Sequence, residues 1–122
     1  MSNRVVHFEI PCDNPEKTID FFKEVFDWRF QQFGNEPYWL AISGDESTPG
    51  INGAIMKKKD PKQPLVNSID VPSIDEYVQK IEKAGGTICV PKMTVPGVGW
   101  LAFFNDPDGN VHGLWQQDVH AK

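Results

Sequence analysis

Gly97-Val98-Gly99-Trp100-Leu101-Ala102-Phe103-Phe104-Asn105-Asp106-Pro107-Asp108-Gly109-Asn110-Val111-His112-Gly113-Leu114-Trp115 decides how this chain folds. Two apolar, aromatic-rich runs flank a polar Asp-Pro-Asp-Gly. Pro107 presets φ at the second turn position and Gly109 can take the positive φ of a closing bulge, so the stretch reads as a β-hairpin. The first half of the chain carries a copy. Tyr38-Trp39-Leu40-Ala41-Ile42 matches Gly99-Trp100-Leu101-Ala102-Phe103, and Gly50-Ile51-Asn52-Gly53-Ala54-Ile55-Met56 matches Gly109 to Trp115. The tryptophans are 61 residues apart and the glycines 59, a difference that one loop absorbs.

Upstream of each hairpin lies a strand and a helix. In Val5-Val6-His7-Phe8-Glu9-Ile10, Val6, Phe8 and Ile10 share one strand face and Val5, His7 and Glu9 the other. A helix follows, with Asn14 or Asp13 as cap, Pro15 at its first position and Ile19, Phe22, Val25 and Phe26 as its apolar stripe. Strands are expected near 28–33, 38–42 and 51–57. The second half repeats the order, with a strand at 66–71, a Ser73-to-Glu76 capping box, and a stripe of Ile74, Val78, Ile81 and Ala84 ended by Gly85-Gly86. Thr87 to Val90 and the hairpin supply three more strands. At an offset of 59, His7 falls on Val66, Asn14 on Ser73 and Phe22 on Ile81.

The chain therefore reads as α+β, with two tandem βαβββ modules at about 4–59 and 65–117 joined by a linker at about 60–64. Each module has one helix, which covers one sheet face and leaves the other bare. Turning the bare faces together, within the chain or across a homodimer, gives a curved, partly open mixed sheet with two outer helices and a lined cavity.

Composition narrows the partners. The 122 residues are 39% hydrophobic and 24% charged with net charge -5, ordinary for one globular domain and unfavourable for a nucleic-acid or anionic membrane partner. Lys57-Lys58-Lys59 and Lys62 read as a solvated linker. No run reaches the ~18 apolar residues of a membrane span, and residues 1–4 lead straight into a strand, so a cytoplasmic protein is expected. Cys12 and Cys89 are distant in sequence and read as reduced thiols.

Paired βαβββ modules, Val6-His7-Phe8-Glu9-Ile10 in the first strand, Asp106-Pro107-Asp108-Gly109 before the last, and Ala84-Gly85-Gly86 after the second helix together resemble the vicinal oxygen chelate superfamily. That superfamily includes glyoxalase I, the bleomycin-resistance proteins and the extradiol dioxygenases. Pro49 to Met56 and Pro96 to Ala102 further resemble short bacterial glyoxalase-like proteins. The resemblance implies a divalent metal held by four side chains, at positions that fall on His7, Ala54, Val66 and Gly113. Only His7 is a possible ligand, and one imidazole cannot replace the three or four donors such a site needs.

The expected cavity face carries His7, Glu9, Ala54, Met56, Ser68, Asp70, Gly113 and Trp115, with Trp39 and Trp100 as matching walls. This is the makeup of a small-molecule pocket. His7 and Glu9 are the candidate catalytic pair, Glu9 or Asp70 orienting the His7 ring as a general base or hydrogen-bond donor. No G-x-S-x-G, P-loop or dinucleotide fingerprint accompanies them. Three readings follow. The first is a small-molecule-binding protein without a metal, expected to be a homodimer. The second is a lyase, isomerase or dioxygenase with Zn, Ni, Mn or Fe on a rebuilt His7, Glu9 and Asp70 site. The third is a protein-interaction module.

Overall fold

A computed structural model describes residues 3–122; residues 1 and 2 of the opening stretch lie outside the described residues. The chain packs as two units, one of Val6–Val66 and one of residues 3–5 with Asn67–Lys122. Residues 3–5 join the second unit because the Asp70 amide donates to the Arg4 carbonyl (2.9 Å) and the Tyr77 hydroxyl donates to Asn3 Oδ1 (3.0 Å).

The first unit contains β1 (Val5–Cys12), α1 (Pro15–Phe26), β2 (Arg29–Gln32), β3 (Tyr38–Ile42) and β4 (Gly53–Lys57), with strands in the order β2-β3-β4-β1. The second contains β5 (Val66–Asp70), α2 (Ile74–Lys83), β6 (Thr87–Val95), β7 (Gly99–Asn105) and β8 (Val111–Gln117), in the order β5-β8-β7-β6. In each, the last strand pairs parallel with the first, and the other pairings are antiparallel. Glu9 lies beside Ala54 and Ser68 beside Gly113, so both strands repeat at the offset of 59.

The helices begin as expected. Asn14 Oδ1 accepts from the Lys17 amide (3.2 Å) and Ser73 Oγ from the Glu76 amide (3.2 Å), each satisfying an orphan donor of the first turn. Gly85 takes φ +101, and the Gly86 amide closes α2 on the Ile81 carbonyl (2.9 Å). Val71, Ile74, Ala102 and Leu114 form the core beneath α2, with Val78 and Ile81 packed against it. Under α1 the stripe is only partly used: Ile19 is buried while Val25 and Phe26 are more than half exposed. Phe26 instead joins an aromatic group in which Phe22 stacks on Trp28 at 4.7 Å.

The Asp106 turn closes β7 on β8 as the sequence predicts. Asp106 Oδ1 accepts from the Asp108 (2.9 Å) and Asn110 (3.0 Å) amides, and Oδ2 lies 2.9 Å from His112 Nε2. The His112 contact and those backbone donors hold the Asp106 carboxyl down at about 2.

Two expectations are corrected. β6 runs beyond Val90 to Val95, because Pro91 sits on an edge strand where register shifts at Ile88/Val90 and Val90/Met93 remove the need for its missing amide. Trp39 and Trp100 are not equivalent either. Ile55 pairs with Trp39 and Leu114, 59 residues on, pairs with Ala102.

β4 approaches β1 closely at Gly53, where a Cβ would stand 2.4 Å from the Phe8 carbonyl oxygen and 2.5 Å from the Phe8 ring. Gly53→Ala is expected to cost about 1–3 kcal/mol through this overpacking. Thermal unfolding followed by circular dichroism checks it, the expected result being a melting temperature several degrees lower with an unchanged spectrum.

Candidate functional site

Alternation along β1 and β4 sends His7, Glu9, Ala54 and Met56 to one face of the first sheet. On β3 Tyr38, opposite Met56, and Leu40, opposite Ala54, face the same way. β4 lies between β3 and β1, so the Tyr38 phenol must span it to reach Glu9. Ala54, beside Glu9, offers only a methyl group to that face and leaves the room.

The three polar side chains meet. The Tyr38 hydroxyl donates to Glu9 Oε2 at 2.7 Å and lies 2.9 Å from His7 Nε2. His7 Nε2 and Glu9 Oε2 are themselves 3.7 Å apart. Phe33 packs edge-on against the Tyr38 ring at 6.2 Å and its amide donates to the Tyr38 carbonyl. Burial, the Glu9 charge and the hydrogen bond to Glu9 all push the Tyr38 phenol far above its ordinary range, so it remains a proton donor. Burial pushes the Glu9 carboxyl up, but the His7 and Tyr38 contacts and the charges of His7 and Lys59 together outweigh this. Glu9 therefore titrates below its ordinary range and is ionised near neutrality.

In the second unit Ser68 and Asp70 on β5 pair with Gly113 and Trp115 on β8. The equivalents of His7 and Glu9 at the offset of 59 are Val66 and Ser68, so no such contact recurs there. A Cβ on Gly113 would stand 2.8 Å from Ser68 Oγ, so the hydroxyl fills the space beside the glycine.

Trp39 and Trp100 are not walls of these faces. Trp39 lies with Ile19, Phe30 and Glu16 along an open groove beside α1. Trp100 packs on the core beneath α2 and donates to Asp118 Oδ2 at 2.9 Å. Each is placed on the helix side by its cross-strand partner, Ile55 for Trp39 and Gln116 for Trp100.

The residues present do not fit the metal that the resemblance implies. Of its four positions, Ala54, Val66 and Gly113 carry no donor atom, and His7 is engaged by Tyr38. Among the described residues no three His, Cys, Asp or Glu side chains gather as an ion's ligands would.

The family model for the Glyoxalase/Bleomycin resistance protein/Dioxygenase superfamily matches residues 4–112. The chain belongs to that superfamily. A glyoxylase-like domain-containing protein from Didymella fabae is 24% identical over 120 residues, covering 93% of this chain and 94% of the relative. A superfamily member from Vibrio splendidus 12B01 superimposes with a TM-score of 0.67 at 15% identity, over 93% of this chain and 98% of that one. A variant methylmalonyl-CoA epimerase from Streptomyces coelicolor, solved with 2-nitronate-propionyl-CoA, gives 0.66 at 12% identity over 100% and 99%. At these identities the solved structures show a shared glyoxalase-like α+β fold. Among the described residues no helix is long and apolar enough to cross a membrane.

Tyr38 enters the sequence reading only as the first residue of the repeated Tyr38-Trp39-Leu40-Ala41-Ile42 run. The alternation of Tyr38, Leu40 and Ile42 marks it for the face of Ala54 and Met56 once the β3–β4 register is known. Removing its hydroxyl takes a donor from Glu9. Tyr38→Phe is therefore expected to raise the Glu9 pKa toward its ordinary value of 4.5, read by carboxyl-carbon NMR titration. Because the folded-state value is depressed, Glu9 contributes stability that is present above its unfolded-state pKa and lost as pH falls through the folded one. Tyr38→Phe should shrink the difference in melting temperature between neutral and acid pH.

Proposed function

We propose that this superfamily member binds a small molecule on the face carrying His7, Tyr38 and Glu9, and does so without the four-ligand metal centre of the glyoxalase-type enzymes. The observation that carries this reading is the contact of those three polar groups on the face where a metal's ligands would have to stand. A partly exposed imidazole held by a neutral phenol and an ionised carboxylate orients a ligand by hydrogen bonds. The same geometry suits His7 to take a proton from a bound carbon acid. Ala54 and Met56 supply apolar surface next to it; Ser68, Gly113 and Trp115 are the positions of the second unit that correspond to Glu9, Ala54 and Met56, and Asp70 follows Ser68 on the same face of β5. Small pockets of this kind combine apolar walls with a few fixed polar groups.

A thermal-shift screen of metabolites on the wild type, His7→Ala and Tyr38→Phe tests the reading. The expected outcome is at least one compound that raises the wild-type melting temperature by a few degrees, with the shift lost in His7→Ala and reduced in Tyr38→Phe. Equal shifts in all three proteins would place binding elsewhere and overturn it.

A further inference from the structure

The single proton of the Tyr38 hydroxyl goes to Glu9 Oε2, at 2.7 Å. Toward His7, 2.9 Å away, the same oxygen can then only accept. The neutral His7 ring must carry its proton on Nε2, which leaves Nδ1 as an acceptor. The chain of bonds is directed: His7 Nε2–H to Tyr38 Oη, then Tyr38 O–H to Glu9 Oε2.

Every donor in the cluster is consumed by this chain, and two acceptors are left over. His7 Nδ1 and Glu9 Oε1 take no hydrogen bond among the described residues. Nor does any buried side-chain nitrogen or oxygen there lack a partner. Both atoms are therefore open to solvent, consistent with side-chain exposures of 29% for His7 and 18% for Glu9. With Nε2 and Oε2 3.7 Å apart, the imidazole and the carboxylate stand side by side on one face, and each keeps one acceptor open. Lys59 acts on Glu9 through its charge alone.

We propose that Tyr38 is a positioning residue that fixes His7 as the Nε2–H tautomer, and that the site consequently selects ligands presenting hydrogen-bond donors, a hydroxyl or a protonated amine, over carboxylates. This rests on the small-molecule reading above and adds the ligand's chemical class. A hydroxyl can donate to one of these acceptors, and a protonated amine, with three N–H donors, to either. A carboxylate would meet an acceptor and a negative charge, and would cover both acceptors without giving either a donor.

Long-range 1H–15N correlation spectra of the His7 ring, recorded where the ring is neutral, read the tautomer without any ligand. The wild type is expected to show Nε2–H, and folded Tyr38→Phe a mixture of both tautomers. Titration with benzylamine, benzyl alcohol and benzoate, which share one ring and differ in the polar group, then reads selectivity. The amine and the alcohol should shift the His7 resonances and benzoate should leave them in place, with the discrimination weakened in Tyr38→Phe. A wild-type Nδ1–H tautomer, an unchanged tautomer in Tyr38→Phe, or a benzoate shift matching that of benzylamine would each overturn the proposal. If none of the three probes moves His7 while the tautomer is as stated, binding on this face is what fails, and the ligand class falls with it.

Discussion

Each half of this chain depends on the parallel pairing of its first and last strands. A strand followed by a helix returns on one side of the sheet, and the two antiparallel strands after it bring the chain back beside its start. That pairing sets Glu9 against Ala54 and Ser68 against Gly113. Because the helix covers the other face, whatever projects from these positions stands on the face left for chemistry. β4 and β8 place very small side chains there, an alanine and a glycine. The space beside them is taken by a serine hydroxyl in one unit and spanned by a phenol in the other.

The doubled module was legible because its signals are local. Caps at Asn14 and Ser73, the Gly85-Gly86 stop and the Asp-Pro-Asp-Gly turn each report on a few neighbouring residues, and each stands where the sequence puts it. The constant offset between the first and last strands was legible too, since it needs only two copies of the same pattern. What the sequence does not carry is the register across the long Ser43–Asn52 connection. Without it, the face taken by Tyr38 and the face taken by Trp39 cannot be told apart, because neighbouring strand residues point opposite ways. The similarity of Tyr38-Trp39-Leu40-Ala41 to Gly99-Trp100-Leu101-Ala102 suggested a pairing two residues off the one the hairpins adopt. The contact of Tyr38 with His7 and Glu9 joins residues about thirty apart in sequence, and no short motif announces it.

Belonging to the glyoxalase superfamily explains the architecture and leaves the reaction open, since sites rather than folds carry chemistry. In this chain the site has an internal logic of its own. Burial pushes the Glu9 carboxyl up, and the contacts with the imidazole and the phenol outweigh it. The ionised carboxylate in turn keeps the phenol protonated. The three groups stabilise one protonation pattern.

The most direct test of this account is calorimetric titration of Ni²⁺ and Zn²⁺ into chelator-treated wild-type protein and His7→Ala. With one imidazole among an alanine, a valine and a glycine, the account predicts no saturable one-to-one binding that depends on His7. Stoichiometric binding of either ion in the wild type, abolished in His7→Ala, would contradict it.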